Sequence, residues 1–92
     1  KARRLGQMSE AELAEFDATY AATKLALEVG EQVRDAREAA GLTQRELASR
    51  MGTSQAAIAR LEAGGVGATL TTLQKVATAL NLEVAVLLRP AS

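Results

Sequence analysis

The sequence predicts a mainly α-helical single domain, and three observations carry that prediction. Ser9-Glu10-Ala11-Glu12, Thr43-Gln44-Arg45-Glu46 and Thr71-Thr72-Leu73-Gln74 each place a hydroxyl three residues before a Glu or Gln, the pairing that satisfies unpaired N–H groups at a helix start. Apolar residues then recur at spacings of three and four, and glycines stand where the runs stop. A chain of 92 residues has room for one core, not two.

Taken in order, the first capping box opens a helix over about residues 10–28. Leu13, Phe16, Tyr20 and Leu27 share one face of it, and Glu12, Glu15 and Asp17 favour its N-terminal turns. Gly30 is expected to break it from a second helix over 31–40, which stops at Gly41. Thr43 caps a third, short helix that buries Leu47, Ala48 and Met51 and ends near Gly52. Ser54 caps a fourth that turns Ile58 and Leu61 inward and ends before Gly64. A fifth, capped by Thr71 or by its rival Thr69, carries Leu73, Val76, Ala77 and Leu80. The tail then changes character. Residues 82–88, with Val84, Val86 and Leu88 alternating, read as a short strand apolar on both faces. A lone strand leaves its backbone donors and acceptors unpaired, so the expected partner is the same strand of a second copy.

Composition narrows the function. The chain has no cysteine and no histidine, which removes disulfides, thiolate or imidazole metal sites, and Cys or His catalysis. No nucleophile stands near a plausible base, so neither an enzyme nor a cofactor is expected. No apolar run approaches a membrane span, and the basic start is not followed by a signal-peptide core, so a cytoplasmic protein with no membrane partner is expected. The formal net charge is zero, but it is unevenly spread. Residues 1–42 hold six basic and eight acidic groups, and residues 43–92 hold five basic and three acidic groups. Any anion-seeking face therefore belongs to the second half.

The middle of the chain meets the needs of two short helices crossing at a tight corner: a small residue at the contact, a turn-former at the corner and an apolar anchor beyond it. Ala48, Gly52 and Ile58 supply these in turn. With its flanks, the segment GLTQRELASRMGTSQAAIARLEAG (41–64), followed by LTTLQKVATALNL (70–82), resembles the XRE family of phage-repressor-like helix-turn-helix proteins. Within that family the chain looks most like the HigA-type and HipB-type antitoxins of type II toxin-antitoxin modules. The resemblance implies a five-helix, phage-repressor-like helix-turn-helix fold with its DNA-binding domain over residues 30–82. It also implies an N-terminal helical extension over 1–29 and a C-terminal dimerisation strand and tail over 83–92.

The resemblance also implies roles. Gln44 matches a glutamine that hydrogen-bonds a DNA phosphate, and Thr53 and Ser54 match backbone-contacting positions. Gln55 is the leading base reader, since its amide can pair with adenine N6 and N7. Ala56 and Ala59 are placed to touch thymine methyls, and Arg60 reaches either a guanine or a phosphate. Arg45 and Arg50 either stay solvated or meet phosphates. Arg37 and Glu62 match an internal ion pair. The loop Gly65-Val66-Gly67-Ala68 lacks the basic residues of many relatives, which implies a shallower salt dependence.

Leu13, Phe16 and Tyr20 either pack on the chain's own core or, beside the acidic Glu10, Glu12, Glu15 and Asp17, receive a basic toxin of the RelE/HigB class. The reading that follows is a homodimeric, nucleoid-associated antitoxin that represses its own operon from operator DNA and neutralises a toxin. Its alternatives are a free-standing transcriptional regulator and a protein-interaction module that has lost DNA binding.

Overall fold

The computed structural model describes residues 9–65 and 68–90, with the side chains of Ala14, Phe16 and Asp17 left aside. Four helices follow one another: α1 (Glu10–Ala39), α2 (Gln44–Met51), α3 (Gln55–Glu62) and α4 (Leu70–Ala79). Ser9 and Thr43 cap α1 and α2 with complete capping boxes. Ser54 caps α3 by accepting from the Ala57 N–H. At α4 it is Thr69, not Thr71, that caps, accepting from the Thr72 N–H at 3.1 Å. None of these helices is long and apolar enough to cross a membrane.

The expected break at Gly30 is not there. One helix of 30 residues replaces the two expected over 10–28 and 31–40, so the described residues form four helices where five were expected. Residues 29/30, the expected border between extension and domain, fall inside it. The reason lies in the inward stripe of α1. Val29, Gly30, Val33, Ala36 and Arg37 recur at helical spacing and are all buried or half-buried, so packing continues across the glycine. A β-carbon at Gly30 would sit 2.6 Å from both the Leu61 and Glu62 carbonyl oxygens. Glycine here lets the end of α3 touch the α1 backbone, and that close contact offsets the roughly 1 kcal/mol helix penalty of the residue.

Seven residues form the core cluster: Val33 from α1, Leu47 and Ala48 from α2, Ile58 and Leu61 from α3, and Val76 with Leu80 from the α4 end. Leu47, with no exposed surface, and Ile58 are its fully buried anchors. The first sixteen residues of α1 extend beyond this cluster. A helix of this length is about 45 Å long, in keeping with the 48 Å longest dimension of the molecule.

Residues 83–90 adopt no regular structure in the single chain. Val84 is half-buried, whereas Val86 and Leu88 are exposed, Leu88 at 92%. The strand expected over 82–88 is therefore not formed, because no second segment of the described chain offers it a ladder of backbone hydrogen bonds.

Candidate nucleic-acid interface

α2 and α3 meet at a corner built from backbone constraints. The α2 helix ends on Gly52 at φ 70°, the left-handed conformation that glycine adopts without strain. The next N–H, of Thr53, then turns back to the Ala48 carbonyl at 2.9 Å. Ala48 itself is buried, so the helices approach closely over a methyl group. Ser54 follows and starts α3 in a new direction.

The orientation of α3 is set by burial on one side. Ile58, Leu61 and Glu62 are buried and Ala57 is half-buried. At 100° per residue, the remaining arc runs from Gln55 through Ala59 and Ala56 to Arg60. Gln55, Ala56 and Arg60 are exposed and Ala59 is half-buried. Two alanines therefore occupy the centre of the outward surface, flanked by an amide on the α2 side and a guanidinium on the other. A helix with a small centre and polar edges can enter the major groove deeply, because nothing bulky holds its axis away from the base edges.

A chain of polar contacts fastens this surface to the interior. Arg37 on α1 donates from Nε to Glu62 Oε2 at 2.6 Å and from Nη2 to Glu62 Oε1 at 3.0 Å. Its Nη1 donates to the Leu42 carbonyl at 2.8 Å. Gln44 Nε2 donates to Glu62 Oε1 at 3.0 Å, and Gln44 Oε1 accepts from Gln55 Nε2 at 3.4 Å. The amide orientation of Gln44 is forced, since a carboxylate only accepts and so must face the nitrogen. Burial pushes the Glu62 carboxyl up, but hydrogen bonds from Arg37 and Gln44, with the charge of Arg37, outweigh it and hold the group below its ordinary value. Hydrogen bonding to Glu62 likewise raises Arg37, so the pair is ionised throughout the neutral range. No buried side-chain polar atom lacks a partner among the described residues.

The other named positions sort clearly. Thr53 and Ser54 are exposed at the corner, and Arg45 is exposed on α2. Ser54 Oγ accepts from the Ala57 N–H at 3.1 Å, which leaves its own proton to donate. Arg50 points away from them and donates to the Ala79 carbonyl at 3.3 Å, at the C-terminal end of α4. Of the α1 residues, Leu13 is half-buried and Tyr20 is 66% exposed, while the Phe16 side chain lies outside the described residues. The bond from Gln44 to Glu62 left no signal in the sequence, since the two residues stand 18 positions apart on helices that only packing brings together.

Comparison with known proteins agrees with this geometry. The helix-turn-helix family model HTH_3 matches residues 33–87, more than half of the chain. The chain is 43% identical over 56 residues, 61% of its length, to the uncharacterized HTH-type transcriptional regulator y4dL of Sinorhizobium fredii (strain NBRC 101917 / NGR234). It spans 29% of the length of that relative. It is also similar to the crystal structure of the restriction-modification controller protein C.AhdI from Aeromonas hydrophila, with a TM-score of 0.61 and 33% identity, covering 63% of this chain and 84% of that one. With the corner at Gly52, the buried anchors behind it and these matches in agreement, the chain belongs to the HTH_3, or XRE-type, helix-turn-helix family.

Proposed function

We propose that this chain is a sequence-specific DNA-binding transcriptional regulator that acts as a homodimer on chromosomal operator DNA in the cytoplasm. The observation that carries the reading is the outward arc of α3, two alanines edged by Gln55 and Arg60, fastened through Gln44 and Glu62 to Arg37. Such a rigid surface costs little ordering on binding. Two copies present two such helices about 34 Å apart, one turn of the duplex, to a pseudo-palindromic site. The apolar 83–88 segments pair across the dimer axis and supply the missing strand partner. The similarity to a transcriptional regulator and to a restriction-modification controller supports a free-standing regulator.

The test is selection of bound duplexes from a random pool, followed by comparison with Gln55→Ala. A recovered consensus that Gln55→Ala reads about 1–3 kcal/mol less selectively supports the assignment. Equal discrimination by both proteins removes Gln55 from the reading surface, and a pool with no enrichment favours an interaction module.

One observation favours a second reading, that of an antitoxin. The N-terminal part of α1 exposes Tyr20 and Leu25 on the same helix as the exposed acidic Glu10 and Glu15, a surface suited to a basic partner protein such as a RelE/HigB-class toxin. Co-purification from the native operon separates the two readings.

A further inference from the structure

A groove of about 340 Å³ opens between the helix-turn-helix corner and α4. Ile58 and Leu61 line its apolar part, Thr53 and Arg60 stand on the corner side, and Thr72 and Lys75 stand on α4. No acidic side chain lines it, and neither Arg60 nor Lys75 has an ion pair among the described residues. Two uncompensated cations facing one groove repel each other and are relieved by a shared anion. The hydroxyls are suited to the same ligand. Thr72 Oγ1 accepts from Thr69 Oγ1 at 3.0 Å and so keeps its own proton to donate.

The course of Arg60 is constrained. The Gly65 N–H donates to the Arg60 carbonyl at 2.8 Å, and a β-carbon on Gly65 would lie 2.8 Å from Arg60 Cγ. The absence of a side chain at 65 therefore leaves room for the Arg60 stem. Arg60 also lies five residues after Gln55, about 140° around α3. While Gln55 faces α2, Arg60 lines the groove beside α4 and cannot share the centre of the base-reading arc.

We propose that this groove is a phosphate clamp, in which Arg60 and Lys75 together hold one backbone phosphate of the bound duplex and the Thr53 and Thr72 hydroxyls donate to it. The clamp rests on the DNA-binding reading. It decides between guanine and phosphate for Arg60, and it brings in Lys75 and Thr72, which stand outside the helix-turn-helix unit. It also supplies a phosphate contact that the uncharged Gly64, Gly65 and Ala68 connection lacks.

The experiment measures affinity of the full chain for a selected duplex and for a scrambled duplex between 50 and 200 mM salt, the range over which counterion release is steep. Lys75→Gln, Arg60→Gln and the double variant are each compared with the parent after circular dichroism has established that they fold. One phosphate shared by two cations counts once, so the Arg60→Gln/Lys75→Gln double variant is expected to lower the log–log salt slope by about 0.9, shrinking the parent's advantage roughly 3.5-fold across the range, and each single variant, which leaves one cation on that phosphate, lowers it by less. The loss is the same on both duplexes, whereas Gln55→Ala keeps the slope and loses preference.

A double-variant slope equal to the parent's overturns the clamp, as does a drop of about 1.8, the value for two separate phosphates, or an Arg60→Gln variant that changes base preference. Saturable binding of inorganic phosphate without DNA, together with unchanged slopes, reassigns the groove to a free anion and also overturns it. A parent that binds neither duplex overturns the DNA reading itself, an outcome distinct from loss of the clamp alone.

Discussion

The body of the molecule and its two ends obey opposite rules. From Val29 to Leu80 every helix turns an apolar stripe inward, with Leu70 at the start of α4 the exception that stays exposed, and the buried Arg37–Glu62 ion pair is held by several hydrogen bonds. The first sixteen residues of α1 and the last nine described residues instead leave Tyr20, Leu25, Val86, Leu87 and Leu88 facing solvent. The family match begins at Val33, so the outer half of α1 lies beyond the part shared with relatives. The contrast separates two uses of apolar surface. In the body it stabilises one chain; at the ends, large exposed side chains point to contacts made outside the single chain.

The largest expected stability effect lies at the ion pair. Arg37→Ala leaves Glu62, only 5% exposed, as a buried charge without its main partner. The expected loss is about 3–5 kcal/mol by denaturant unfolding, a large share of the 5–15 kcal/mol typical of a domain. A companion Arg37→Leu/Glu62→Leu variant should regain much of it, since two apolar residues leave no charge to desolvate. A loss under about 1 kcal/mol for Arg37→Ala would show that water reaches Glu62 and that the pair is not a body feature.

Gly30→Ala comes next. Alanine is the better helix former, yet its β-carbon meets two backbone carbonyls that have no rotamer to change. Overpacking of about 1–3 kcal/mol is expected, read as a lower melting temperature. A stabilised variant would mean that α1 and α3 separate easily, which blurs the line between arm and body.

The smallest effect belongs to the ends. Val86→Ser and Leu88→Ser should each shift the unfolding of the dilute single chain by under about 0.5 kcal/mol, while weakening self-association in sedimentation. Variants that keep the parent's mass at every concentration would move the dimer contact away from residues 83–88.

Much of the helical order was legible in the chain. The capping hydroxyls of Ser9, Thr43 and Ser54, and the stops at Gly41 and Gly52, act over three or four residues, so local spacing is enough to place them. Gly30 misled for the same reason. Its helix-breaking tendency is local, but the carbonyls that make it necessary arrive from residues 61 and 62. The arc of α3 could be drawn from periodicity, whereas the bonds joining Gln55, Gln44, Glu62 and Arg37 could not.

What the sequence alone determined, then, is where helices begin, which faces are apolar and that a tight corner falls at Gly52, because hydrogen bonds and side-chain spacing within a turn decide these. Tertiary structure decided that α1 runs unbroken, that Gln44 ties the reading surface to a buried carboxylate, and that Lys75 shares a groove with Arg60. Those outcomes depend on groups 11 to 32 positions apart meeting across packed helices, and no local rule encodes which of many such meetings the core will permit.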